Sequence, residues 1–313
     1  MKAIILNNFG SVDELEIKEI NKPVIKDDEV LVKVKAISIN PVDAKTRNGK
    51  GQAQRIKDEK PMILGWDISG EIVETGKNVT EFKSGDEVFG MINIPGHGKA
   101  YAEYVAAQAN HIALKPTGIS HEEAAASCLA AMTAYQALAT HGKLKAGDRI
   151  LIHAAAGGVG HFAVQMAKYM GAYVIGSSSQ ANKEFVLNID ADQHLDYQIP
   201  DWEKEIEPVN FVLDAIGGDN INKSLKVLKR GGTIIGLPSG LSEDVSEKAA
   251  EQGKTGIFFM VKSNNEHMQS IALMLEKKVL VPYISAVFRF EEIKKAHEQI
   301  ETGKTRGKII LLP

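Results

Sequence analysis

The sequence contains a glycine-rich stretch whose backbone could hold a phosphate group. Residues 149–160 read Arg-Ile-Leu-Ile-His-Ala-Ala-Ala-Gly-Gly-Val-Gly, and an apolar helical pattern follows over 161–170. A strand, a tight glycine turn and a helix in this order are typical of the first βαβ unit of a dinucleotide-binding fold. The third glycine should let the helix pack closely on the strand. The residues expected at a pyrophosphate are Ala156, Gly157, Gly158, Val159 and Gly160.

Three serines stand where nucleotide-binding folds distinguish their ligands. In NAD-specific folds, a carboxylate about 20 residues beyond the glycine turn binds the ribose 2′-hydroxyl group. This chain has Ser177, Ser178 and Ser179 there, and Lys183 follows a few residues later. Hydroxyl groups and a nearby ammonium group suit a 2′-phosphate, which a carboxylate would repel. The sequence therefore favours NADPH over NADH as the cofactor.

The pattern of elements changes twice along the chain. Residues 1 to about 120 read as short strands separated by turns, which predicts an antiparallel, barrel-like β domain. Ser120 and Glu123 form a capping box for a helix running toward Tyr135. From Gly147, strands and helices alternate as in a doubly wound parallel sheet, so the predicted class is α/β. Later helices are predicted over 181–189, 219–229, 264–278 and 290–302, and later strands over 210–214, 232–237, 283–288 and 307–312.

Composition excludes several classes of function. The chain has 313 residues, enough for two domains, and carries 37 Lys and Arg against 40 Asp and Glu, a formal charge of -3. Without a basic excess, nucleic acid is not the expected partner. We expect neither a signal peptide nor a membrane span, because the apolar runs are too short. The single cysteine, Cys128, cannot form an internal disulfide, which is typical of a reducing compartment such as the cytoplasm.

Motifs distributed over the whole chain resemble those of a known family. They lie at 39–43 with Arg47 and Gly49, and at 64–70, 79–88, 133–135, 155–160, 196–197, 214–218 and 305–309. Together they resemble the zinc-free quinone oxidoreductases related to zeta-crystallin, a branch of the medium-chain dehydrogenase/reductase superfamily. The resemblance implies a GroES-like catalytic domain over 1–120, a Rossmann NADP-binding domain over 121–262 and a C-terminal return to the catalytic domain over 263–313. It also implies an active site between the domains and a homodimer, usually formed through the Rossmann sheets.

Three residues distinguish the chain from the zinc alcohol dehydrogenases of this superfamily. Those enzymes bind their catalytic zinc with two cysteines and a histidine, and the resemblance places Asn40, Trp66 and Leu129 at these positions. Tryptophan and leucine cannot ligate zinc, and asparagine is a poor ligand where a thiolate is wanted. We interpret Trp66 as filling the space of the metal, and we expect no metal. Without a Lewis acid, a quinone or an α,β-unsaturated carbonyl compound suits the chain better than an alcohol.

The resemblance also implies catalytic roles in hydride transfer from NADPH to such an acceptor. Asn40 would lie at the nicotinamide or at the substrate carbonyl, and Thr133 at the nicotinamide. Asp43 would organise the loop, with Arg47 nearby. A proton, taken from water, would complete the reduction. His97 lies between glycines, and we expect it to be solvated rather than to act as the acid.

The remaining residues implied by the resemblance bind the adenosine half of the cofactor or border it. Tyr197 and Lys183 would flank the adenosine phosphate. Arg306 or Lys308 would close on the adenosine end. The loop after Asp214, including Ile216, and the loop at 237–239, beginning with Leu237, would border the cofactor.

Two other functions remain open from the sequence. The first is an NADPH-dependent enone or alkenal double-bond reductase with little quinone activity, because variable loops set the choice of acceptor. The second is a non-catalytic RNA-binding or structural protein, since relatives of zeta-crystallin include such proteins. The absence of a basic stripe and of a low-complexity tail argues against the second function.

Overall fold

The computed structural model describes residues 1–237 and 244–313 and divides the chain into two compact units. The first unit comprises Met1–Met132 and Lys262–Pro313, and the second comprises Thr133–Val261. The strands among the described residues are β1 (Lys2–Leu6), β2 (Leu15–Glu19), β3 (Glu29–Ile39), β4 (Asp67–Thr75), β5 (Glu87–Met91), β6 (Tyr104–Gln108), β7 (Ile112–Leu114), β8 (Arg149–Ile152), β9 (Tyr173–Ser178), β10 (Gln193–Asp196), β11 (Val209–Asp214), β12 (Leu228–Gly236), β13 (Thr255–Phe258), β14 (Ile284–Arg289) and β15 (Lys308–Leu312).

The α-helices of the same described ranges have at most 7 residues in the first half of the chain and between 6 and 12 residues in the second. They are α1 (Pro41–Arg47), α2 (Ala53–Ile56), α3 (His121–Ala126), α4 (Leu129–Tyr135), α5 (Gly158–Tyr169), α6 (Lys183–Asn188), α7 (Asp219–Val227), α8 (Val245–Ala250), α9 (Asn265–Glu276) and α10 (Ile293–Glu301). None of the helices that the structure describes has the length and apolar character needed to cross a bilayer.

A long central strand organises the first unit. The sheet runs β14-β15-β3-β4-β5-β7, and β6 also pairs with β3. Apart from the parallel pair β14–β15, the pairings of this sheet are antiparallel. Residues of β3 alternate between buried and exposed over 32–35 and are continuously buried over 36–39, where both faces are covered. The antiparallel β prediction for this region is therefore confirmed, and the last strand of the chain completes the sheet.

The second unit is a parallel sheet with helices between its strands. Its described strands run in the order β10-β9-β8-β11-β12-β13, and every pairing is parallel. Counted within the unit, this order is 3-2-1-4-5-6, the order of dinucleotide-binding sheets. The strand order reverses between β8 and β11, which is where such sheets bind ligands at the carboxyl ends of their strands. The predicted α/β class with a doubly wound sheet is confirmed.

The helix predicted toward Tyr135 is broken into α3 and α4. The capping box is present, because Ser120 Oγ accepts from Glu123 N at 3.1 Å and Glu123 Oε2 accepts from Ser120 N at 2.8 Å. The break follows Ala126, and it frees the backbone N–H of Leu129 to donate to Asp67 Oδ1 at 2.9 Å. The loss of a helical hydrogen bond is thus compensated by a buried carboxylate from β4.

The boundary between the two units differs from the predicted domain boundary. It falls between residues 132 and 133 instead of 120 and 121, because α3 packs on β3 and β4 of the first unit. The return to the first unit begins at residue 262, one residue before the predicted position. The later helices and strands lie within a few residues of their predicted ranges. The exception is β12, which begins at Leu228, where it pairs with Val209 before a register shift.

Candidate active site and nucleotide-binding edge

The candidate active site of the first unit begins where β3 ends. Asn40 has an extended backbone, and Pro41 starts α1 immediately after it. Asp43, in the first turn of α1, accepts the backbone N–H of Asn40 at 2.9 Å through Oδ2. This local hydrogen bond holds the turn in one conformation, and it supports the predicted role of Asp43 in organising the loop.

The side chain of Asn40 bridges a buried cation and a buried carboxylate. Its amide oxygen accepts from Lys308 Nζ at 2.5 Å, and its amide nitrogen donates to Asp67 Oδ2 at 2.8 Å and to the Ser38 carbonyl oxygen at 3.3 Å. Lys308 Nζ also donates to the Ile39 carbonyl oxygen at 3.2 Å. We call Lys308, Asn40 and Asp67 the amide bridge. Both amide donors of Asn40 are engaged within the protein, which fixes the orientation of its side chain.

Lys308 lies beside Asn40 and not at the adenosine end of the cofactor, where the resemblance placed it. Its side chain belongs to β15, which pairs with the end of β3 through Ile309 and Ile39. The residue is 3% exposed, and its ammonium group donates hydrogen bonds to the Asn40 amide oxygen and the Ile39 carbonyl oxygen. A buried ammonium committed in this way cannot close on the adenosine end of a nucleotide. The assignment of Lys308 to that end is therefore wrong, and its contact with Asn40 is the observed alternative.

Burial governs the electrostatics of the amide bridge. Burial lowers the pKa of Lys308, whereas Asp67 and Asp43 raise it. Burial also raises the pKa of Asp67 from 3.8 to about 6, against the opposing effects of Lys308 and Asn40. A carboxylate and an ammonium group that share an amide in a low-dielectric site stabilise each other's charges. The bridge therefore places a positive charge, that of Lys308, at the amide oxygen of Asn40 and a negative charge, that of Asp67, at its amide nitrogen.

A second buried network connects Asp43 to the surface of the first unit. Tyr101 Oη donates to Asp43 Oδ2 at 2.8 Å and lies 3.1 Å from His297 Nε2. Arg47 Nη1 lies 3.3 Å from His297 Nδ1, and Arg47 Nη2 donates to Glu301 Oε1 at 2.7 Å. Because arginine can only donate, His297 Nδ1 is the acceptor and Nε2 carries the proton. Arg47 thus donates to His297, His297 donates to Tyr101, and Tyr101 donates to Asp43.

The pKa values in this second network separate a neutral histidine from a carboxyl group that titrates near neutrality. Burial and the charge of Arg47 lower the pKa of His297 to about 3, so its imidazole is neutral. Burial raises the pKa of Asp43 from 3.8 to about 7, although Asn40 and Tyr101 hydrogen-bond its charged form. The second oxygen of Asp43, Oδ1, is buried and has no hydrogen-bond partner. Such a carboxyl group is able to hold a proton at physiological pH.

The positions that bind zinc in the zinc dehydrogenases are occupied by other interactions. Asn40 belongs to the amide bridge, Trp66 is fully buried with Nε1 donating to the Gly96 carbonyl at 2.9 Å, and Leu129 supplies a backbone N–H to Asp67. Within 1–237 and 244–313, no three His, Cys, Asp or Glu side chains are grouped so that they could bind a metal ion. These residues do not fit a zinc ion.

The structure shows the surroundings of three other residues named from the sequence. His97 is buried, not solvated as expected, because Nε2 contacts the Ile63 backbone and Nδ1 lies 3.1 Å from Glu59 Oε2. Cys128 is a fully buried free thiol whose pKa burial raises, as a core residue should be. Arg306 lies in the first unit, with its guanidinium carbon 6.0 Å from the centre of the Tyr283 ring.

The glycine turn of the second unit joins β8 to α5. Gly157 caps the helix, and its backbone N–H donates to the Ala154 carbonyl at 2.8 Å, so this group is not free to bind a pyrophosphate. Ala154 takes the left-handed conformation, with a φ of 52°. A Cβ atom at Gly160 would lie 2.1 Å from the Ala154 carbonyl oxygen, which confirms that this glycine permits close packing. The N–H groups of the first helical turn, those of Gly158, Val159 and Gly160, have no intrahelical partner.

Of the three serines, Ser177 has a different environment from the one predicted. It is fully buried, and its hydroxyl group lies 2.8 Å from His153 Nδ1. His153 Nε2 in turn lies 2.9 Å from Ser224 Oγ, next to Asp214. Ser177 therefore contributes to the interior of the sheet rather than to a phosphate site. His153, which the sequence analysis passed over, forms this buried connection between β8, β9 and α7.

Ser178 ends β9 beside the end of β10, where a second overlooked residue lies. Asp196 pairs with Ser178, and the Tyr197 backbone N–H donates to the Ser178 carbonyl at 3.3 Å. Ser178 Oγ lies 2.9 Å from His194 Nε2. The side chains of Tyr197 and Lys183 are exposed at this edge, and Tyr197 is 48% exposed. We call Ser178, Ser179, Lys183, His194 and Tyr197 the nucleotide edge.

The loops after β11 and β12 are shaped by Asp214. Its Oδ1 accepts the backbone N–H groups of Ile216 and Gly217, each at 2.8 Å. Ile216 is partly exposed, and Leu237 is buried with its N–H donating to the Asp214 carbonyl at 2.8 Å. Pro238 and Ser239, also predicted to border the cofactor, lie outside the described residues. Thr133, on α4, is buried in the second unit.

Comparisons with known proteins agree with this architecture. Residues 26–117 match the family model described as alcohol dehydrogenase GroES-like domain, and residues 189–311 match the one described as zinc-binding dehydrogenase. The chain is 34% identical to the 2-methylene-furan-3-one reductase of Solanum lycopersicum over all of its length and 79% of that protein. It is 32% identical to the chloroplastic NADPH-dependent alkenal/one oxidoreductase of Arabidopsis thaliana, over all of its length and 80% of that protein.

A solved structure gives the same result for the fold. The quinone oxidoreductase from Coxiella burnetii superposes with a TM-score of 0.95 and 37% identity, covering 100% of this chain and 99% of that chain. The similarity therefore extends over both units. The chain belongs to the medium-chain dehydrogenase/reductase superfamily, and it is a quinone oxidoreductase-like oxidoreductase of that superfamily.

Proposed function

We propose that this chain is an NADPH-dependent reductase that transfers hydride, without a metal, to quinones or other activated carbonyl and alkene acceptors. The observation that carries the proposal is the amide bridge. In place of a zinc site, the first unit holds a buried ammonium group and a buried carboxylate on the two sides of Asn40. An acceptor that is already electrophilic needs no Lewis acid, and quinones and enones have this property.

The residues of the second unit fit a dinucleotide with a 2′-phosphate. The first turn of α5 offers the N–H groups of Gly158 and Val159, and Gly160 leaves room for the helix to approach β8. Lys183 and Tyr197 are exposed at the nucleotide edge, at the end of β9, where the ribose of a dinucleotide lies. No carboxylate occupies positions 177–179. When bound, NADPH supplies the hydride.

The residues of the first unit have positioning roles in the proposal. Asp43 fixes the backbone of Asn40, and Lys308 and Asp67 fix its side chain, so the one residue between β3 and α1 is held in a single orientation. Negative charge develops on the carbonyl oxygen of the acceptor during hydride transfer, and the positive charge of Lys308 stabilises it electrostatically. Thr133 is proposed at the nicotinamide. Protonation of the acceptor by water completes the reduction.

A second candidate function is enone or alkenal reduction with little quinone activity. It is favoured by the relatives at 34% and 32% identity, which are named for the reduction of a furanone and of alkenals and enones. The structural relative at 37% identity is named a quinone oxidoreductase. We found no basis among the comparisons for the RNA-binding or structural alternative, and we do not propose it.

Two further expectations belong to the proposal. The first is a homodimer formed at β13, which is an edge strand of the parallel sheet with mostly half-buried residues. Light scattering on the purified protein tests the dimer, and a mass of 34.0 kDa would contradict it.

The second expectation is a cytoplasmic location, supported by a buried free cysteine that needs no oxidising compartment. Fractionation of the source cells tests the location, and recovery of the protein in an organelle or outside the cell would contradict it.

The decisive experiment follows NADPH and NADH oxidation side by side with a panel of acceptors. The panel contains 1,4-benzoquinone, 9,10-phenanthrenequinone, 2-hexenal and a cyclic enone, with ethanol and NADP as the reverse control. Each assay is run with and without a chelator. We expect NADPH-dependent turnover that the chelator does not change, and the ratio of quinone to enone turnover then ranks the two candidate functions. Ethanol oxidation that the chelator abolishes, or no binding of either nucleotide, would overturn the proposal.

A further inference from the structure

We propose that His194 is a specificity-determining residue of the 2′-phosphate subsite, and that NADPH is preferred over NADH more strongly when this imidazole is protonated. The inference rests on the proposed NADPH-dependent function and adds to it a residue that neither the sequence motifs nor the comparisons assign. It starts from one contact, that of His194 Nε2 with Ser178 Oγ at 2.9 Å.

The first step is the position of the contact. In a dinucleotide-binding sheet, the ribose hydroxyl groups of the adenosine half lie at the carboxyl end of the second strand. Here that strand is β9, and Ser178 is its last residue. His194 lies on the adjacent strand β10, two residues before Asp196, which pairs with Ser178. The imidazole therefore lies beside the end of β9, on the side of the neighbouring strand β10. It belongs to the nucleotide edge, together with Lys183 and Tyr197.

The second step is the direction of the hydrogen bonds. Ser178 Oγ donates to the Ser179 carbonyl at 3.1 Å, so its lone pair faces His194. The Nε2 atom of His194 is then the donor, and the neutral ring carries no proton on Nδ1. Protonation adds a donor at Nδ1 and a positive charge without disturbing the contact with Ser178. A charged imidazole at this place favours a phosphate over a hydroxyl group.

The third step is the set of charges that face the ring. Asp196 lies on the same strand and Lys183 on α6, whereas β9 contributes only the uncharged Ser178; the backbone of Ser179, the residue after β9, hydrogen-bonds the ring and raises its pKa. Burial is the largest influence on the pKa of His194 and lowers it, Asp196 raises it, and Lys183 lowers it again. The free ring is therefore mostly neutral at physiological pH. A bound 2′-phosphate raises its pKa, so phosphate binding and proton uptake favour each other.

The test measures the dissociation constants of NADPH and NADH by nucleotide fluorescence from about pH 5.5 to about pH 8.5, a range that spans histidine titration. For the wild type, we expect the ratio of the NADH constant to the NADPH constant to rise about tenfold between about pH 8 and about pH 6. In the variant His194→Gln, the amide keeps a donor for Ser178 but does not titrate. Its ratio should keep only the smaller pH dependence of the phosphate itself.

The variant Lys183→Gln is the matched control, because it removes a charge that does not titrate in this range. It should lower the ratio at every pH but keep a pH dependence, whose midpoint moves to higher pH because Lys183 lowers the pKa of His194. A slope that is the same in the wild type and in His194→Gln would overturn the inference. If the wild type binds neither nucleotide, or binds NADH as tightly as NADPH at every pH, the proposed cofactor itself fails.

A second measurement follows the wild-type protein itself and uses the variant only to assign one signal. The imidazole signal of His194 in the wild type, identified by its loss in the His194→Gln spectrum, is titrated by NMR with 2′,5′-ADP, with 5′-AMP and without ligand. The pKa of His194 should rise with 2′,5′-ADP and stay unchanged with 5′-AMP, because only the first carries a 2′-phosphate. An equal response to both nucleotides would contradict the assignment of His194 to the 2′-phosphate.

Discussion

Replacing Asp43 by Asn should change how the stability of the first unit depends on pH. Burial raises the pKa of Asp43 from 3.8 to about 7, so the folded protein keeps between these values a proton that the unfolded chain has released. The unfolding free energy of the wild type therefore decreases as pH rises through this window. A shift of about 3 units at about 1.4 kcal/mol per unit corresponds to about 4 kcal/mol. Asp43→Asn removes this loss, because an amide does not ionise.

The geometry favours an isosteric exchange at this position. The amide oxygen of the variant keeps the hydrogen bonds from the Asn40 backbone and from Tyr101. The amide nitrogen replaces Oδ1, which has no hydrogen-bond partner. Asp67, whose pKa is also raised, is present in both proteins, so its contribution cancels in the difference between them. The stability difference, variant minus wild type, should thus grow by about 4 kcal/mol from about pH 4 to about pH 7.

The two tryptophans allow the first unit to be observed by itself. Trp66 is buried in the first unit and Trp202 in the second, so urea unfolding in a Trp202→Phe background reports on Trp66 alone. Asp58→Asn, which removes an exposed carboxylate, is the matched control and should give a difference that does not vary with pH. If the difference for Asp43→Asn also stays constant within about 1 kcal/mol, the reasoning from burial is refuted.

Two other variants test the two units separately. Lys308→Met should destabilise the first unit by about 3–5 kcal/mol in urea unfolding, because Asp67 is left buried without its cation. Lys308→Met combined with Asp67→Asn should recover part of this loss, and an additive result would contradict the charge coupling. Gly160→Ala should abolish nucleotide binding and destabilise the second unit by about 1–3 kcal/mol or more, since its Cβ would lie 2.1 Å from the Ala154 carbonyl oxygen. Gly157→Ala is the milder control, with its nearest atom at 3.2 Å, and equal losses in titration and unfolding would refute the argument.

The fold could be predicted well where the signal is local. The glycine turn and the alternation of strands and helices define the βαβ unit, and the capping box at Ser120 defines a helix start, because each depends on neighbouring residues. The break between α3 and α4 could not be predicted in this way. It depends on a hydrogen bond from Leu129 to Asp67, 62 residues earlier in the chain. For the same reason, the first domain boundary was placed before α3 instead of within α4.

The candidate site was predictable only in part. Asn40, Asp43 and Arg47 lie in one motif, and helical spacing brings Asp43 and Arg47 onto one face of α1. The contact of Lys308 with Asn40 depends on the pairing of β15 with β3, which the sequence pattern does not specify.

Several other site residues show the same limit. Tyr101, His297 and Glu301 come from distant segments, although the last two are four residues apart on α10, a spacing that places them on one side of the helix. At the nucleotide edge, the position of His194 follows from the register of β10 against β9. That register is set by packing across the sheet rather than by the residues of β10 alone.

The position of Lys308 in the chain has a consequence for synthesis on the ribosome. The second unit, residues 133–261, is continuous in the sequence, whereas β15 follows it and is translated later. The second unit can fold as soon as it emerges, but the first remains without its last strand. Until β15 is made, Asp67 and Asn40 lack their ammonium partner, and residues 37–39 of β3 lack the strand that pairs with them. A nascent chain is thus able to complete its nucleotide-binding sheet before its candidate catalytic cluster exists.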